Sequence, residues 1–125
     1  MSYFSVDIEA DGPAPGLYSM VSFGAVVVEA GLNRTFYSEI RPISEKWIPS
    51  ALAVSGFSRE QSMSFKSPEI VMKDFAEWIE KNSKGRPIFI ADNPGFDFAF
   101  INYYFHAFLG NNPFGFSSRR IGDLY

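Results

Sequence analysis

Tyr3 to Glu9 alternates between apolar and polar positions. Phe4, Val6 and Ile8 fall on one face, and Tyr3, Ser5, Asp7 and Glu9 on the other, which is the two-residue period of a half-buried strand. Asp11-Gly12-Pro13-Ala14-Pro15-Gly16 is too dense in Gly and Pro to continue that strand and predicts a loop. Met20 to Glu29 is an apolar, Val-rich run, the pattern of a central strand. Gly31-Leu32-Asn33 predicts a hairpin turn, with Arg34 to Arg41 pairing back as a third strand.

Pro42 to Gln61 has no clear period; short helices are expected around Pro49 to Val54 and after Ser58. Ser67-Pro68-Glu69 predicts a helix start, with Ser67 as N-cap, Pro in the first turn and an acid near the positive end. Val71, Phe75, Trp78 and Ile79 then form one apolar stripe, and Gly85 follows the helix. Arg86 to Ala91 reads as a buried strand. Asp92-Asn93-Pro94-Gly95 breaks it, and Phe96 to Leu109 forms a second helix stopped by Gly110, apolar on nearly every face and so well covered. The order is three strands, a helix, a strand and a helix. This predicts an α/β fold with three antiparallel-type N-terminal strands, a parallel strand and flanking helices. At 125 residues, without repeats or a linker, the chain suits a single domain over 1–125.

Composition adds exclusions. Hydrophobic residues are 46% of the chain, with 14 Phe, 6 Tyr and 2 Trp, enough to build a core and to exclude disorder. The absence of Cys removes disulfides and thiolate metal sites. The formal net charge of −3 argues against a broad basic surface for nucleic acid, but not against an acidic site made cationic by divalent metals. Met1 to Asp7 meets an acid without a basic region, so no signal peptide is expected, and the Phe23–Val28 stretch is too short to cross a membrane. A soluble cytoplasmic protein, with no membrane partner, is the default expectation.

The candidate chemistry lies in three acids. Asp7 and Glu9, two apart on a strand, project from the same face just before a loop. Carboxylates held so close repel unless they share a proton or bind cations, and two hard divalent ions about 3.5–4 Å apart would suit them. A solvated strand face explains the pair as well. Asp97, in the first turn of the second helix, could equally serve only the helix dipole. It gains if the Ile88–Ala91 strand runs near the Asp7 strand.

Three segments together resemble a known family. Asp7-Ile8-Glu9-Ala10-Asp11-Gly12 is similar to the Asp-x-Glu-x-x-Gly first motif of the DEDD superfamily of 3′-5′ exonucleases, which includes ribonuclease T-like and proofreading-type enzymes. Val21 to Val26 resembles that family's second strand, and Asn93-Pro94-Gly95-Phe96-Asp97 followed by an apolar helix resembles its second motif. Ala53 to Glu60 is similar to the segment that contacts the substrate end in relatives. The resemblance implies a ribonuclease H-like fold and a metal-dependent hydrolase acting on the 3′ end of single-stranded DNA or RNA. It implies two Mg²⁺ or Mn²⁺ ions: Asp7 bridging both, Glu9 on the one that activates water, and Asp97 on the other. Ala10, Asp11, Phe57, Asn93 and Phe96 become the expected substrate contacts, with Phe57 and Phe96 as apolar walls for a base. A homodimer is a further implication, since relatives resembling ribonuclease T pair.

The family's third motif, an aspartate with a His or Tyr general base, has no match. His106 sits inside the second helix without a following aspartate and reads as structural. Arg120 to Tyr125 resembles the short strand preceding the final helices, so the domain is expected to lack those helices and that motif, and Asp123 and Tyr125 are poor substitutes. Loss of a general base costs about 10²–10⁴ in rate. Asp92 and Ser55 stand where relatives often carry His, and Asp11 and Asp92 are extra acids that could act as ligands. The alternative function is a catalytically impaired module that binds a nucleic-acid end or another protein.

Overall fold

β1 (Ser2–Ala10) buries Phe4, Val6, Ile8 and Ala10 and leaves Asp7 exposed, so its alternation is realised as a strand covered on one face. The computed structural model describes residues 1–124; Tyr125 and the side chains of Asp123 and Leu124 lie outside the described residues. β2 (Met20–Val27) runs antiparallel to β1, pairing Phe4 with Val27 and Glu9 with Ser22, and β3 (Thr35–Glu39) runs antiparallel to β2. The turn at Gly31 and Leu32, both at positive φ, joins them. β4 (Pro87–Ala91) lies parallel on the other side of β1, from Ser2↔Pro87 to Ser5↔Ile90. Among the described residues the sheet order is β3-β2-β1-β4-β5.

The fifth strand, β5 (Ser118–Arg120), parallel to β4, departs from the expected order. It stands earlier than the predicted segment, of which residues Ile121–Leu124 form a 3₁₀ turn. Three charged or polar residues at a sheet edge carry no alternation, so periodicity could not reveal the strand.

α1 (Pro49–Ser55) and α2 (Arg59–Ser62) form where short helices were expected; α2 is closed by a capping box between Ser58 and Gln61. α3 (Pro68–Asn82) starts as predicted, but Ser67 makes no side-chain cap bond; Ser83 is its C-cap, and Gly85 follows two residues on. α4 (Pro94–Leu109) begins two residues before the predicted Phe96, with Pro94 at the first position, and ends on Gly110 at φ 86°.

α3 and α4 contribute to one core on the Phe4 face of the sheet. Phe75 of α3 is its hub, with ring centroids 4.8 Å from Phe23, 5.0 Å from Phe36 and 5.6 Å from Phe105. Where the β1–β2 register shifts after Glu9, the buried Met20 N–H donates to Tyr104 Oη at 2.8 Å. That bond ties α4 to the sheet at the end carrying the acids.

Candidate active site

Ser5, Asp7 and Glu9 share the face of β1 opposite the core. The register places Gly24 beside Asp7 and Ser22 beside Glu9, then Tyr37 and Glu39 one strand further. A glycine opposite Asp7 leaves room over the carboxylate, and a cavity of about 480 Å³ runs across Asp7, Glu9, Ser22, Gly24 and Tyr37. Tyr37 Oη donates to Glu39 at 3.1 Å. Burial, with Glu39 beside it, pushes the Tyr37 phenol above its usual range, so it stays protonated.

Asp97 joins the other acids through a backbone bond. β1 and β4 part after Ser5↔Ile90, so the Ile8 N–H, which points toward β4, has no strand partner. Asp97 Oδ1, reaching over from the first turn of α4, accepts that N–H at 3.0 Å in a buried setting. Burial raises the Asp97 pKa, opposed by the Ile8 bond and reinforced by Asp7 and Asp92. Glu9 is raised by burial, then by Asp7 and by Asp97. Glu9 therefore senses Asp7 and Asp97 as like charges, and Asp97 senses Asp7. Among the described residues, however, no group of three or more acidic, His or Cys side chains closes around a point that could hold a metal ion. The donors suit a hard divalent cation in kind.

Beside Glu9 lies an apolar cavity of about 520 Å³. One wall comes from the loop after β1 (Ala10, Gly12, Pro13), a second from Ile48 and α1 (Ala51, Val54), and Phe96 closes it. Gly12 is required here: a Cβ at that position would stand 2.1 Å from the Tyr18 ring. Ala10 and Phe96, two of the expected substrate contacts, line this cavity. Asn93 caps α4 through its backbone with an exposed side chain, and Phe57 packs on Phe65 at 5.0 Å, away from the cavity lining.

Asp11 is a correction. Its carboxylate is fully buried, accepts the Ser19 N–H at 2.7 Å and pairs with Arg59 at 3.3 Å, while its backbone N–H and carbonyl bond Ser19 and Ile48. A side chain so buried and paired serves as an anchor and is not open to a metal or a nucleotide. His106 lies exposed in the last turn of α4, about 13 Å along the helix from Asp97. Val54 belongs to the Ala53–Glu60 segment expected to contact the substrate end, whereas sequence reasoning missed Ile48 and Ala51, whose one signal was an apolar segment beginning at Trp47 before a Pro-started helix. No described helix is long and apolar enough to cross a membrane.

No protein-family model matches the chain. It is 42% identical over 126 residues to the 3′-5′ DNA exonuclease Cap18 of Escherichia coli, an alignment covering 98% of this chain and 67% of that protein. It superposes on the nuclease domain of 3′hExo, a DEDDh family member, bound to rAMP, with TM-score 0.67 at 16% identity, covering 85% of this chain and 58% of that domain. E. coli Exonuclease I in complex with a dT13 oligonucleotide superposes with TM-score 0.71 at 15% identity, covering 94% of this chain and 27% of that one. The fold is therefore shared with nucleases much longer than this chain. With 42% identity along 98% of its length to Cap18, the chain belongs to that protein's family of 3′-5′ exonucleases, and its mixed five-stranded sheet has the fold of the DEDDh nuclease 3′hExo.

Proposed function

We propose that this chain carries the metal-binding acids and the nucleotide seat of a 3′-5′ exonuclease that removes nucleoside 5′-monophosphates from single-stranded DNA. The observation that carries the reading is Asp97, brought by its bond to the Ile8 N–H into charge contact with Asp7 and Glu9 beside an apolar cavity. The DNA substrate is taken from the relative Cap18, whose name specifies DNA. Asp7, Glu9 and Asp97 would hold Mg²⁺ or Mn²⁺. The chemistry that two such ions supply when bound is activation of water and screening of the charge that develops on the phosphate.

The chain's own residues do the rest. The Ile8 N–H fixes the Asp97 carboxylate toward β1, and Gly24 keeps the space over Asp7 open. Phe96 and Val54 offer a terminal base apolar surface that accepts any sequence. Hydrolysis adds water across the last phosphodiester: hydroxyl to phosphorus, proton to the departing 3′ oxygen of the preceding nucleotide.

The test is cleavage of a 5′-labelled single-stranded oligonucleotide, as DNA and as RNA, with Mn²⁺ and with EDTA. A ladder shortening from the 3′ end, abolished by EDTA and by Asp7→Ala, is expected. A folded wild-type chain that binds the 3′ end in Mn²⁺ without cutting it would replace the enzyme by an end-binding module.

A further inference from the structure

The walls of the cavity beside Glu9 come from segments far apart in sequence, the loop after β1 and the approach to α1. Asp11 lies between them, and each of its polar groups is engaged. Its N–H donates to the Ser19 carbonyl at 2.9 Å, and its carbonyl accepts the Ile48 N–H at 2.8 Å. Oδ1 accepts the Ser19 N–H at 2.7 Å and Oδ2 accepts from Arg59 Nη1 at 3.3 Å. The Arg59 guanidinium also donates to the Ser44 carbonyl at 2.9 Å and lies 5.7 Å over the Trp47 ring, next to the wall residue Ile48. Arg59 is itself seated on α2, whose start is fixed by the Ser58–Gln61 capping box.

We propose that the Asp11–Arg59 pair, buried at its acid end, is a positioning device that sets the gap between the two walls, and with it how tightly the terminal nucleotide is seated. The inference rests on the reading of this cavity as the nucleotide seat. Neither side chain lines the cavity, so both act through the walls. A surface ion pair with free partners would add little; this pair differs because removing the Arg59 guanidinium lets go of Asp11, the Ser44 carbonyl and the Trp47 ring together.

Arg59→Ala and Arg59→Lys test it, under conditions where urea titration shows each variant folded. KM and kcat are measured on the single-stranded DNA oligonucleotide with Mn²⁺, and the affinity for dTMP by titration calorimetry. Arg59→Ala is expected to raise KM and weaken dTMP binding about tenfold, equivalent to about 1.4 kcal/mol, with kcat changed less than about twofold. Arg59→Lys, which keeps the charge but not the forked reach, restores part of the affinity. A purely structural pair would lower the folded fraction and leave KM and dTMP affinity unmoved, and that result overturns the proposal. An active wild type with Arg59-insensitive KM removes the positioning role alone; a wild type that neither cuts DNA nor binds dTMP removes the nucleotide seat and this proposal with it.

Discussion

Asp11 and Asp97 are both buried carboxylates with raised pKa values, and both accept a backbone N–H. Their surroundings differ in sign. Asp11 has Arg59 at 3.3 Å and Ser19 at 2.7 Å, and burial alone raises it against those partners. Asp97 has Asp7 and Asp92 for neighbours, and their charge adds to the burial that raises it. A buried acid whose charge is answered holds the fold together; one whose charge is reinforced by other acids keeps an unmet demand for a cation. Charge environment, not depth, separates the anchor from the site.

That contrast can be broken from either side. The largest effect is expected at the anchor: Asp11→Ala leaves the Arg59 guanidinium and the Ser19 N–H without their partner and should cost about 3 kcal/mol in urea unfolding. A loss below about 1 kcal/mol would reduce the pair to a surface-type contact. At the site, Asp97→Ala orphans the Ile8 N–H while relieving repulsion from Asp7, for a net loss of about 1 kcal/mol. Asp97→Asn, which keeps an acceptor for Ile8, should be at least as stable as the wild type at pH 7. If Asn proves as damaging as Ala, Asp97 is an anchor like Asp11 and the contrast fails.

The smallest effect concerns pH. The folded chain holds the Glu9 proton more tightly than the unfolded chain, whose value is near 4.5. The folded state is therefore favoured at acid pH and loses that advantage as pH rises through the folded pKa. Glu9→Gln removes the titration. The variant should exceed the wild type by less than about 1 kcal/mol at pH 7 without divalent metal, and the difference should vanish below about pH 4. Chemical denaturation at the two pH values measures it; a difference independent of pH would mean that neither burial nor the charges of Asp7 and Asp97 raise Glu9.

The alternation Phe4-Val6-Ile8 against Ser5-Asp7-Glu9, the apolar stripe of α3 and the Pro and Gly at the helix ends were legible in the chain. Each depends on residues within a few positions of one another, and local periodicity fixes which face is buried. The short edge strand β5 was anticipated only through the family resemblance, and a little too late in the chain, because pairing with β4 and not its own pattern makes it a strand. Among the acids, the sequence by itself determined that Asp7 and Glu9 share a face. Only the tertiary structure decided that Asp97, 89 positions from Ile8, completes the cluster, while Asp11, adjacent in sequence to Ala10, faces Arg59 and leaves it. A carboxylate's role depends on the sign of the charge brought beside it, and that neighbour arrives through the sheet and the helices packed on it, which no local pattern encodes.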